Sequence, residues 1–242
     1  MKGDDRLLAL ADLAQEQWGM FTSAQAAESG VSAQHLKRLA DRFILTRIRH
    51  GVYRLTGTPI HPADHVRAQW LALDPAPSAT KRINSADPRG VASHRTAADL
   101  RELGDIDADI AEFTVPRRRN TRSGGVRFHV AALDPTDWSL LDGLPVTTPA
   151  RTIVDLASCR TDGGHLAGVV WDALRTDQVS RGQLESELRP FAHLYGAPLG
   201  DGAGLIAAII DDVAASDLMP TPADTSLARR KLLARLGTVP VS

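Results

Sequence analysis

Lys37, Arg38, Arg42, Arg47, Arg49 and Arg54 crowd between Gly30 and Leu55, where Asp41 is the single acid. The whole chain has a formal net charge of -1, so this local surplus of positive charge is a matter of placement, not of bulk composition. Cations without matching acids suit a polyanion. Gln34 and Arg38 are of the types that read adenine and guanine edges by paired hydrogen bonds. Lys37 and Arg42 suit phosphates, which position a protein without specifying a sequence, and His35 suits either role. The plain alternative is a solvated face whose charges only keep the protein dispersed.

The elements that would hold these side chains are legible from spacing. Residues 4–18 place Leu7, Leu10, Ala11, Ala14 and Trp18 at helical steps, predicting one helix with a single buried stripe. A short helix over 23–29, capped by Thr22 or Ser23, is predicted to stop at Gly30. A third helix follows, with Ser32 as its cap and Val31 stapled to Leu36; Leu36, Leu39, Ala40 and Phe43 form its inward stripe. Two strands, "ILTRIR" and "VYRL", should pair about a tight turn at His50-Gly51. A two-residue turn sets Arg49 opposite Val52 and Arg47 opposite Arg54, which puts Arg47, Arg49 and Arg54 on one face. Ile48, Tyr53 and Leu55 then take the other. Three helices and a hairpin make a winged helix-turn-helix, expected over 1–57 as a DNA-binding domain.

Beyond it, a connecting helix and a linker containing Pro75, Pro77 and Pro88 are expected over 58–90, and a C-terminal domain over 91–242. In that domain a helix "RTAADLREL", strands "EFTVP" and "VRFHVAAL", a turn at Asp142-Gly143 and a helix from Pro149 precede a mainly helical part. That part ends in a basic segment, "DTSLARRKLLARLG". The expected fold class is α+β: a winged helix-turn-helix followed by a mixed α/β domain with a helical C-terminal part.

Other constellations carry less. "PRRRNTRSGGVR" offers Arg117, Arg118, Arg119 and Arg122 as a second basic contact, or as a loop kept soluble by charge. The glycines of "LGDGAGL" lack the preceding strand of a dinucleotide fingerprint, and Asp211-Asp212 lacks a third acid or a lysine for nuclease chemistry. Cys159 is the only cysteine, which excludes an internal disulfide and a multi-cysteine zinc site. The histidines are scattered without metal-ligand spacing, so no metal, cofactor or enzyme activity is expected. His94 reads as a capping or buried polar residue. No signal peptide or membrane span is read, and a cytoplasmic setting is expected.

"RHGVYRLTG", "GVASHRTAADL", "FTVPRRR" and "DGLPVTTPARTIVDLA", in this order across residues 5–160, resemble the AbiEi-type antitoxins of type IV, abortive-infection toxin–antitoxin systems. The resemblance implies a bacterial autorepressor that binds inverted repeats of double-stranded DNA at its own promoter, as a dimer in one arrangement. It also implies an antitoxin opposing a nucleotidyltransferase-like toxin, directly or indirectly. Carried over, the DNA contacts fall on Gln34, Lys37, Arg38, Arg47, Arg49 and Arg54, and Arg151 with Asp155 forms an internal ion pair. The nuclease-like continuation of some members is not evident after Ala157. A competing class is an interaction module whose basic winged helix binds the toxin without recognising DNA.

Overall fold

The structure is a computed structural model that describes residues 3–85, 87–119 and 125–215. Its first unit is α1 (Gly3–Gln15), β1 (Met20–Thr22), α2 (Ser23–Glu28), α3 (Ala33–Asp41), β2 (Leu45–Arg49) and β3 (Val52–Leu55). The strands form an antiparallel sheet in the order β1-β3-β2, so this unit is a winged helix-turn-helix with its wing between β2 and β3. Thr22 caps α2 in a reciprocal box with Gln25, and the Ser32 hydroxyl accepts from the His35 amide at the start of α3. Val31, Leu36, Leu39, Leu10, Ala14 and Phe21 share one core with Leu45 and Tyr53.

Two details of the stripes differ from expectation. α1 ends at Gln15, and Trp18 lies beyond it with a left-handed backbone, φ 61°. Its indole packs edge-to-face on Trp70, at 6.0 Å between centroids, and donates to the Asp142 carbonyl at 2.7 Å. Phe43 likewise follows the end of α3 in a left-handed conformation, φ 58°, which rotates its ring out of the stripe and leaves it 83% exposed. Both residues break the helical angle on which a periodicity argument depends.

The second unit begins with the connecting helix expected in 58–90. α4 (Asp64–Leu73) buries Val66, Ala68, Trp70 and Leu71 against a five-stranded sheet, and α5 (Ala79–Ile83) follows within the proline-rich stretch. The strands are β4 (Val91–Ala92), β5 (Ala111–Val115), β6 (Val126–Val130), β7 (Trp138–Leu141) and β8 (Leu144–Thr147), in the order β6-β5-β4-β8-β7. β4 runs parallel to β8, and β5 to β6; the β4/β5 and β7/β8 pairs are antiparallel. Asp142 and Gly143, with φ of 47° and 78°, make the tight β7–β8 turn that their types predict. The sheet core also takes in Met20 and Val52 of the winged helix, so the two units share it.

α6 (His94–Leu100), α7 (Pro149–Ser158), α8 (Gly163–Arg175), α9 (Arg181–Glu187), a 3-10 stretch Arg189–Tyr195 and α10 (Gly202–Ala215) pack into a helical core of their own. The basic stretch 224–237 and Arg122 lie outside the described residues. Among the described residues no helix is long and apolar enough to cross a membrane.

Candidate nucleic-acid interface

α3 buries Leu36 and Leu39 and turns Gln34, Lys37, Arg38 and Arg42 outward, with His35 half-buried at the flank. The wing is less regular. Arg47 lies opposite Tyr53 and Arg49 opposite Val52, so Ile48 is an extra residue in β2 facing no partner. This bulge shifts the register by one and divides the arginines between faces, because side chains alternate with period two. Arg47 stays exposed and donates to His50 Nδ1 at 2.8 Å. Ile48 packs onto the core of the second unit.

Arg54 corrects the expected basic face. It lies opposite Thr46, is only 8% exposed, and donates to Asp64 Oδ2 of α4 at 2.8 Å. Asp64 also accepts from the His61 amide at 2.9 Å and faces Arg67 at 3.4 Å. Arg54 is therefore the inner half of a buried ion pair and not part of an exposed basic face. Arg49, on the same side of the sheet, is half-buried and donates to Gln69 Oε1 of α4. Burial lowers its pKa from the usual arginine value.

Arg49 also lines a groove of about 260 Å³ whose other walls are Gln69, Ala72, Leu73, Arg119, Val126 and Phe128. Arg119, in the basic loop after β5, donates to the Leu73 carbonyl, while Arg117 and Arg118 are exposed. The wing and the second basic segment, distant in sequence, thus meet across one groove. None of Lys37, Arg38, Arg42, Arg47, Arg49, Arg117, Arg118 and Arg119 forms an ion pair with a described residue.

A second constellation lies on the other side of the sheet. His94 opens α6 with φ 53°, is 5% exposed, and stacks on His129 of β6 at 3.5 Å between ring centroids. His129 Nε2 is 2.6 Å from Glu112 Oε2, and His94 Nδ1 is 2.9 Å from Ser93 Oγ and 4.0 Å from Asp155 Oδ2. Cys159, exposed at the end of α7, completes a group with the two histidines in which one ligand atom from each lies within 4.8 Å of the others. Arg151 Nε donates to Asp155 Oδ1 at 2.8 Å and its Nη1 to Asp137 at 2.9 Å. Asp155 Oδ2 accepts no hydrogen bond from the described residues.

Burial, then the neighbouring His129, pushes His94 from 6.5 down to about 3, against a smaller opposing pull from Glu112. Burial alone would raise the Glu112 carboxyl, but its hydrogen bond to His129 and that ring's charge outweigh it and hold it below the usual range. Burial raises Asp155 in spite of Arg151. The group draws on four separated segments. Only the helical steps from Arg151 to Asp155 and from Asp155 to Cys159 are visible in the sequence.

A winged helix whose outer helix and wing carry cations that form no ion pair with a described residue, built onto an α/β body, defines the class: a winged helix-turn-helix protein. Residues 9–56 match the family described as "Transcriptional regulator, AbiEi antitoxin", and residues 88–195 match the "AbiEi antitoxin C-terminal domain". The chain belongs to the AbiEi-type antitoxins. It is also similar to the crystal structure of the RV2827C protein from Mycobacterium tuberculosis, at 16% identity and a TM-score of 0.50, over 82% of this chain and 79% of that one. That likeness concerns the fold. No curated protein matches the chain.

Proposed function

We propose that this antitoxin is a DNA-binding autorepressor, with α3 in the major groove and the wing against the backbone. The observation that carries the reading is the set of unpaired cations on α3, the wing and the Arg117–Arg119 loop. Gln34 and Arg38 meet base edges; His35, Lys37, Arg42 and Arg47 flank them at the phosphates. Arg49 and Arg119 extend the contact into the groove between the units. Arg54 holds the wing to α4 and makes no contact with DNA. Through operon repression and its C-terminal domain, the protein opposes a nucleotidyltransferase-like toxin in the cytoplasm, and inverted repeats call for two copies per operator.

The test is binding to DNA from upstream of the protein's own gene across a salt series. Each lost phosphate contact lowers the slope of log affinity against log salt by about 0.9, so Lys37→Ala with Arg47→Ala should lower it by about 1.8. An unchanged slope would remove those two contacts. No binding at low salt would point instead to the basic winged helix as a surface for the toxin. Repression is read from a promoter fusion, and antitoxin activity from co-expression with the neighbouring nucleotidyltransferase-like gene.

A further inference from the structure

We propose that His94, His129 and Cys159 form a binding site for a divalent transition metal of the zinc type. The donor set is two imidazole nitrogens and one thiolate, the mixed N/S set that borderline-soft ions such as Zn²⁺ and Co²⁺ prefer. One ligand atom from each residue already lies within 4.8 Å of the others. In a tetrahedral site these atoms would stand about 3.3–3.7 Å apart. Cys159, exposed at the end of α7, can supply part of that contraction.

The surroundings of the two rings have the form of a metal site's outer shell. His129 Nε2 meets the Glu112 carboxylate at 2.6 Å, which leaves Nδ1 to coordinate. His94 Nδ1 points to Ser93 Oγ at 2.9 Å, with the orphaned Asp155 oxygen 4.0 Å away, which leaves Nε2. Carboxylate–histidine pairs of this kind fix ring orientation and raise ligand basicity. Asp155, 95% buried with one oxygen unsatisfied, is the independent sign that a partner is missing: an ion drawing charge from His94 would turn the 4.0 Å contact into a hydrogen bond. Three protein ligands leave a fourth position on the exposed Cys159 side for water or an anion.

The stacked rings set one structural requirement. Their planes are 14° apart at 3.5 Å, so their in-plane lone pairs run side by side and do not converge. Binding must splay the stack, and His129 stands on β6, the edge strand of its sheet, where its ring can tilt about the Glu112 contact.

The experiment titrates the reduced, chelator-treated full chain with Co²⁺ and then displaces it with Zn²⁺. The expected result is saturation at one equivalent, with a thiolate-to-cobalt charge-transfer band and tetrahedral visible bands that Zn²⁺ bleaches. Because Cys159 is the only cysteine, a thiolate band can come from no other residue of this chain. C159S should abolish the band with the fold intact by circular dichroism, and H129Q should weaken Co²⁺ binding at least as much as E112Q. Loss of the outer-shell carboxylate in E112Q should itself lower affinity by about 10- to 100-fold. Two results would overturn the proposal: no saturable thiolate band in the folded wild type, or a band whose affinity is unchanged in folded H129Q, which would mark a lone thiol scavenging metal.

Discussion

Arg47 and Arg54 show how little a residue's type says without its register. In the sequence they look alike, two wing arginines predicted to face each other; one extra residue at Ile48 puts Arg47 in solvent and Arg54 against Asp64. Nothing in "LTRIRHGVYRL" announces the bulge, since an inserted residue leaves composition and alternation almost unchanged. The two substitutions should therefore separate. Arg54→Ala strands a buried carboxylate that keeps only Arg67 and the His61 amide, and should cost about 2–4 kcal/mol in urea unfolding while leaving the salt dependence of DNA binding unchanged. Arg47→Ala should do the reverse. At His94 the folded pKa, about 3, lies below the ordinary 6.5, so its contribution is fully present above pH 6.5 and is lost as pH falls toward 3. Glu112, also lowered, adds in the same direction at lower pH, and Asp155, raised, partly opposes. Urea midpoints of the metal-free protein from about pH 7 to about pH 4 should fall, and His94→Gln should flatten the upper part of that decline.

Elements were more legible than contacts, because capping and periodicity are local. The Ser32 cap, the entry of Val31 and Leu36 into one core, the Asp142-Gly143 turn and the helix beginning at Pro149 all follow from a few adjacent side chains. Ser32→Ala should accordingly cost about 1 kcal/mol, read by thermal or urea unfolding. It should also weaken DNA binding modestly, since the first turn of α3 carries Gln34. What local signals missed are places where the chain leaves regular geometry: Trp18 and Phe43 in left-handed conformations, and Ile48 in the bulge. The proposed nucleic-acid surface divides for the same reason. α3 presents its expected residues, whereas the meeting of Arg49 with Arg119 depends on how α4 seats the wing beside β5 and β6.

At the scale of the molecule, the winged helix is not a separate bead. Its sheet has two buried faces: Phe21, Tyr53 and Leu45 close the helix-turn-helix core, while Met20 and Val52 join Trp70, Phe113 and Val146 in the body. Residues 58–90, read in the sequence as a connecting helix and a linker, supply α4 to that junction, where Trp70 and Leu71 are wholly buried. The orientation of α3 relative to the Arg117–Arg119 loop is thereby set by packing. Trp70→Ala should cost about 3–5 kcal/mol and lower the unfolding midpoint of both units together. A chain cut after residue 57 would expose Met20 and Val52 and should lose stability.

The junction also carries its own optical label. Trp18 and Trp70, two of the four tryptophans, touch across it, with the Arg67 guanidinium 5.3 Å from the Trp18 ring and that of Arg82 3.6 Å from the Trp70 ring. Charges this close to an indole shift and quench its emission, so native fluorescence reports whether the two units are docked. Operator or toxin binding that loosened the junction would register as a change in colour and yield, with no dye attached.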